Sequence, residues 1–154
     1  MLKTYSGSCH CGAVKFEAEL DFSQSSYRCN CSICRRTRFW PAVATPEHFR
    51  LLTGEAELAE YRFHTGKNLH YFCRHCGVRA FGVGTETPIG VMYGVNLGCI
   101  EGVSEDELSR IPARMLTVST TGLHLLSTSP TFEQRARPGD APYLSLRGFD
   151  AYSR

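Results

Sequence analysis

The 154-residue sequence has little that would mark it for a membrane or a polyelectrolyte partner. No apolar run approaches the ~18 residues that a membrane span requires. The opening Met1-Leu2-Lys3-Thr4-Tyr5 contains no apolar stretch of the signal-peptide kind. Charge excess is nearly absent: 17 Lys and Arg against 15 Asp and Glu leave +2. That balance excludes a polybasic chain that coats nucleic acid and a strongly acidic one, while a local patch remains open. Internal repeats are missing, and helix starts are scarce. Only Ser104-Glu105-Asp106-Glu107-Leu108 carries one, with Ser104 and Glu107 spaced as a capping box. What is left is a globular chain, 42% apolar, long enough to bury ~70% of its unfolded surface.

Strand patterns dominate residues 1–100. Val14, Phe16, Ala18 and Leu20 alternate with Lys15, Glu17 and Glu19, the period of a half-buried strand. Tyr27–Cys31 extends a second strand into a turn or short helix at Ser32–Arg36. Phe39–Ala44 contains Pro41 and is predicted as an edge strand, because proline cannot donate to a ladder. Pro46–Phe49 reads as one helical turn capped by Thr45. Leu58–Phe63 and Leu69–Cys73 are predicted to pair as a hairpin, and Val78–Val83 and Val91–Leu97 are further strands. Beyond Pro112 the texture turns Thr- and Ser-rich and then polar, which suggests a hairpin and a loosely attached tail.

One residue type is abundant. Eight cysteines occur in a chain that needs no covalent staples, and seven lie in three clusters: Cys9-His10-Cys11, Cys29-Asn30-Cys31-Ser32-Ile33-Cys34 and Cys73-Arg74-His75-Cys76. Disulfides within such clusters would be strained, whereas several thiolates on one short segment suit a metal. In a strand, Cys-x-Cys presents both sulfurs on one face. In Cys-x-x-Cys-Gly a tight turn brings them together, and Gly77 can take the positive φ of such a turn. Seven ligands divide as four plus three. Cys29, Cys31 and Cys34 can occupy one metal, leaving Cys9, Cys11, Cys73 and Cys76 to close another. Spacing also permits Cys29 and Cys31 with Cys73 and Cys76, which leaves Cys9, Cys11 and Cys34 to share a metal across a longer loop.

A zinc held by three protein ligands keeps one position for water or substrate. With three thiolates it is suited to holding an incoming thiol as thiolate, the nucleophile of sulfur chemistry. A second structural zinc, completed by a histidine or Cys99, is the competing reading. Arg28, Arg35, Arg36 and Arg38 surround the triplet without an acid among them. They can offset thiolate charge and pair with a carboxylate, or form a solvated basic edge. With Phe39 and Trp40 they could also stack a nucleic acid, although the near-neutral total charge disfavours that partner. His70, three residues before Cys73, is a candidate for substrate contact. His10 and His75 are expected to point away from the metals. Cys99 is expected to be a buried, inert thiol, and Trp40, Phe39 and Tyr71 to wall a pocket or pack in the core.

The order Gly7-Ser8-Cys9-His10-Cys11-Gly12-Ala13-Val14, Cys29-Asn30-Cys31-Ser32-Ile33-Cys34-Arg35 and Phe72-Cys73-Arg74-His75-Cys76-Gly77, with Leu51-Leu52-Thr53-Gly54 and Tyr61-Arg62-Phe63 between, resembles a known family. It is that of the glutathione-dependent formaldehyde-activating enzymes, which also contains centromere protein V. The resemblance covers residues 4–112 and leaves 113–154 as a C-terminal extension of unknown role. It implies a mainly β, Mss4-like fold of layered antiparallel sheets with two zinc sites and one or two short helices. It implies a structural zinc on Cys9, Cys11, Cys73 and Cys76 and a catalytic zinc on Cys29, Cys31 and Cys34. The implied activity is that of a carbon–sulfur lyase resembling S-(hydroxymethyl)glutathione synthase. Its partners would be a glutathione-like thiol and formaldehyde or another small electrophile. Arg35, Arg36, Arg38 and His70 are the expected substrate contacts, and His70, Tyr71 or water the source of the proton for the new hydroxyl. The alternative is a non-catalytic zinc module that engages a protein or nucleic acid. Reduced thiols and the absent signals point to the cytoplasm, with no membrane partner.

Overall fold

The computed structural model describes residues 1–24, 26–119 and 122–125. The alternating segment predicted as a strand is β2 (Lys15–Leu20), and its Phe16, Ala18 and Leu20 are buried. It is the middle of a three-stranded sheet, flanked by β1 (Lys3–Ser8) and β5 (Phe49–Thr53). Both neighbours run antiparallel to it, with Lys3 opposite Leu20 and Phe49 opposite Ala18. Sequence reading missed β1 and β5. Each is an edge strand with few buried positions, so its polar and apolar residues give no clear alternation.

The larger sheet holds β4 (Pro41–Ala44), β9 (Gly90–Asn96), β8 (Phe81–Thr87), β7 (Asn68–Cys73) and β6 (Leu58–Tyr61), antiparallel in that order. Pro41 indeed sits on an edge strand. The predicted pairing of the segments at 58 and 69 is present, with Tyr61 opposite His70. The strand predicted from Val78 begins only at Phe81. Residues 78–80 are drawn into other bonds: the Val78 carbonyl accepts from Cys73 N–H at 3.0 Å and the Ala80 carbonyl from Asn96 N–H at 2.9 Å. A third sheet contains β3 (Ser26–Cys29), β10 (Ala113–Ser119) and β11 (Gly122–Leu125). The hairpin predicted after Pro112 is β10–β11. Its first strand joins β3 in parallel, an exception to the otherwise antiparallel pairing among the described residues. The tail that the sequence suggested beyond it lies outside the described residues.

The β1–β2–β5 sheet faces the five-stranded sheet through aromatic rings. Phe49 stacks on Tyr93 at 4.3 Å and meets Phe81 at 4.8 Å, while Phe16 lies 5.6 Å from Phe49. Aromatic contacts of this kind add ~1 kcal/mol each beyond the area they bury. Ser26, fully buried, accepts from Trp40 Nε1 at 2.7 Å and donates to the Pro112 carbonyl at 2.9 Å, tying β3, β4 and the start of β10. Helix α1 (Ser32–Thr37) follows β3, and α2 (Glu105–Arg110) starts with the predicted Ser104–Glu107 capping box. No helix among the described residues is long and apolar enough to cross a membrane.

Two glycines separate conformational strain from steric strain. Gly54 has φ +87°, and a Cβ there would lie 2.2 Å from the Ala13 carbonyl oxygen, where backbone must move. Gly77 has φ +72° with nothing within 4 Å of its Cβ position. Gly77→Ala is expected to cost the left-handed conformation alone, about 1–2 kcal/mol. Gly54→Ala is expected to cost at least about twice that, since overpacking adds to it. Denaturant midpoints at unchanged m-value measure both; equal losses would contradict the packing.

Candidate metal centres

Sheet topology brings the 9–14 turn beside the 73–78 turn. In the first, Cys9 N–H donates to the Val14 carbonyl at 3.0 Å, and Val14 N–H donates back to Cys9 Sγ at 3.3 Å. In the second, Gly77 N–H donates to the Cys73 carbonyl at 2.9 Å, with Gly77 in the positive-φ conformation expected of it. The sulfurs of Cys9, Cys11, Cys73 and Cys76 all lie within 4.8 Å of one another. Cys9–Cys11 is 3.6 Å and Cys11–Cys73 is 3.7 Å. Four sulfurs at ~2.3 Å from one tetrahedral ion stand ~3.8 Å apart, so the group fits a zinc-sized ion. Cys9 and Cys11 meet through a turn rather than through the same face of a strand, because the chain reverses between β1 and β2.

Cys29, Cys31 and Cys34 form the second group, also within 4.8 Å. Cys29 ends β3, Cys31 is the N-cap of α1, and Cys34 lies in the helix's first turn. Backbone donors point inward: Cys31 N–H to Cys29 Sγ at 3.4 Å and Cys34 N–H to Cys31 Sγ at 3.5 Å. The thiols of Cys29 and Cys34, with the Cys34 backbone N–H, hold Cys31 ionised far below the usual thiol range. Cys29 and Cys34 are pushed up, chiefly because each shares its proton with neighbouring sulfurs. Three sulfurs at this separation hold one negative charge readily and resist a second and third unless a cation sits among them. The structure assembles the four-plus-three grouping and not the alternative that mixes Cys34 with Cys9 and Cys11. Among the described residues neither a histidine nor Cys99 joins the triplet. Cys99 is buried, and burial raises its thiol to about 11.

The remaining predicted site residues fall in different places. Arg35, Arg36 and Arg38 are exposed on and just after α1, and Arg36 Nη1 donates to the Ser32 carbonyl at 2.8 Å. Arg28 lies over the Trp40 ring at 5.0 Å. His10 is exposed, and His75 faces Glu57 at 2.6 Å, so both point away from the sulfur groups. Tyr71 packs on Phe81 at 5.5 Å, on the face of β7 opposite His70. His70 is 6% exposed, with no hydrogen-bond partner for either ring nitrogen, and is flanked by Phe63 at 5.2 Å.

The cation that faces the triplet is one the sequence reading passed over. Arg79 stacks on the Phe39 ring, its guanidinium carbon 3.6 Å from the centroid. Burial pushes its pKa down, while the sulfurs of Cys34 and then Cys31 push it up. Its Nε and Nη1 are sealed from solvent without a partner. A buried ion costs several kcal/mol, and a desolvated cation–π contact returns ~2 kcal/mol. Phe39 alone therefore does not balance the charge, and the thiolates must. The available signal was a single cation in the apolar run Val78-Arg79-Ala80-Phe81.

Burial first, and then the Arg79 cation, push His70 down to about 4, with Cys31 opposing. Between pH 6.5 and about 4 the unfolded chain binds a proton that the folded one does not. His70 therefore removes stability as pH falls through that window and adds no further loss below it. Nitrogen NMR is expected to show a neutral His70 ring down to about pH 4; a titration centred near 6.5 would contradict the sealed environment. A crystal structure of a Rhodobacter sphaeroides protein is similar to this chain, at 36% identity and a TM-score of 0.61, covering 70% of this chain and 98% of that one. The family model described as glutathione-dependent formaldehyde-activating enzyme matches residues 4–114, over the three cysteine clusters and the sheets that position them. The chain belongs to the glutathione-dependent formaldehyde-activating enzyme family.

Proposed function

We propose that this protein is a zinc-dependent carbon–sulfur lyase of the S-(hydroxymethyl)glutathione synthase type. In this reading Cys29, Cys31 and Cys34 hold a catalytic zinc, and Cys9, Cys11, Cys73 and Cys76 hold a structural one. The observation that carries it is the unequal size of the two groups. Four sulfurs can close a tetrahedron, whereas the triplet has no fourth cysteine, histidine or carboxylate ligand among the described residues. Family membership supports a glutathione- and formaldehyde-related zinc protein in general. A bound zinc with three protein ligands supplies an open position that keeps an incoming thiol ionised at neutral pH.

In the net reaction the glutathione sulfur bonds to the formaldehyde carbon. The carbonyl π pair moves to oxygen, which takes up the proton that the thiol gave up. The reverse reaction breaks the same carbon–sulfur bond. The chain's own part is to hold and orient the reacting groups. The N–H donors of Cys31 and Cys34 fix two sulfurs of the triplet. His70, kept neutral by burial and then by the Arg79 cation, can hydrogen-bond the new hydroxyl in this reading, and water carries the proton that the thiol gives up. The exposed Arg35, Arg36 and Arg38 receive the carboxylates of the tripeptide at the mouth of the site. Eight unpaired thiols fit a reducing compartment such as the cytoplasm.

Metal analysis is expected to find about two zinc ions per chain. Cys31→Ser should lose activity and about half the metal yet remain folded, because its group closes no long-range contact. Cys73→Ser should abolish the cooperative transition, because it opens the group that joins residue 9 to residue 76. Glutathione at roughly millimolar levels should change the visible spectrum of the cobalt-substituted chain. An unchanged spectrum would sink the proposed activity.

A further inference from the structure

The triplet's surroundings hold a charge that the proposed reaction has not yet used. Arg79 is clamped between the Phe39 ring and the backbone of β8, where a Cβ at Gly82 would come within 2.4 Å of Nη2. His70 stands opposite Gly82 in the ladder, on the same face. No carboxylate pairs with Arg79 among the described residues; its electrostatic partners there are the sulfurs of Cys34 and Cys31. Because Nε and Nη1 are sealed, a ligand cannot reach them directly.

We propose that Arg79 is the fixed counter-cation of the three-cysteine centre, a positioning residue that biases that centre toward an anionic fourth ligand and against a neutral one. The inference rests on reading the triplet as a thiol-holding metal site. A divalent ion with three thiolates carries a net charge of about −1. A thiolate as fourth ligand takes it to about −2, whereas water or imidazole leaves it unchanged. A nearby cation lowers the energy of the doubly charged assembly more than that of the singly charged one, and a buried pair is little screened by salt. Arg35, Arg36 and Arg38 are exposed, so solvent and salt weaken any such effect from them. The glycine at 82 leaves room for the guanidinium, and Phe39 holds its plane, so the charge is set in place before a ligand arrives.

The test uses the full chain with cobalt in place of zinc, titrated with 2-mercaptoethanol, azide and imidazole. 2-Mercaptoethanol has no carboxylate, so direct pairing with arginine does not enter. Arg79→Met is expected to weaken 2-mercaptoethanol and azide by about 10–100-fold, the usual range for residues that support metal ligands. Imidazole should change by less than about threefold, and metal content should hold. Arg79→Lys, which keeps the charge without the planar stack, should recover much of the anion affinity. If Arg79→Met does not fold, Arg79→Lys carries the test, with anions weakened by about severalfold and imidazole unchanged. Equal loss for all three ligands, or no loss, overturns the assignment. If azide shows the difference and no thiol binds even to the wild type, the proposed activity fails and the counter-cation stands. If thiols bind wild type and Arg79→Met alike, the activity stands and the counter-cation fails.

Discussion

The approach of the 9–14 turn to the 73–78 turn is the constraint on which the rest of the structure depends. It places the Cys11 and Cys73 sulfurs, 62 residues apart in sequence, at 3.7 Å. Four thiols that close must share protons or surround a cation. Although the Ala13 backbone N–H opposes it, Cys11 is pushed up to about 12 by desolvation and then by Cys9, Cys73 and Cys76. The same junction fixes the small sheet against the large one, because β1 leads into the first turn and β7 into the second. Phe16, Phe49, Phe81 and Tyr93 then fill the space between the sheets.

The three-cysteine group depends on that frame at one remove. Its sulfurs come from one short segment, the end of β3 and the first turn of α1, and need no distant partner. What the frame supplies is their environment. The 78–80 loop that completes the Cys73–Val78 turn carries Arg79 to the Phe39 ring, and β7 carries His70 to the same face. One element thus closes the four-sulfur group and delivers a cation to the three-sulfur group. A change at the closed group should therefore be felt at the open one without contact between them.

Much of this was legible in the residues, for reasons specific to each. The cysteine spacing foretold two groups because thiolates on a single short turn have almost no freedom to reach elsewhere. Pro41 foretold an edge, and Ser104 with Glu107 foretold a helix start, because each rule acts over a few residues. β1 and β5 were missed because an edge strand buries too little to impose an alternation. The strand predicted from Val78 was too long by its first three residues, since their carbonyls bond to the turn at Cys73 and to Asn96 instead.

The local sequence by itself determined which side chains could gather on a metal, where the chain would turn and which helix would be capped. Those properties depend on bonds that span at most a handful of residues. Only the tertiary structure decided which four of the seven cysteines gather in one group and which three in the other. It also decided that Tyr71 packs into the core while His70 faces the triplet, and which of the arginines meets the sulfurs. The exposed cluster at 35–38 looked electrostatically prominent, yet the cation beside the thiolates is the isolated Arg79. The physical reason is that charge acts strongly where water is excluded, and the exclusion of water is a property of packing between distant segments.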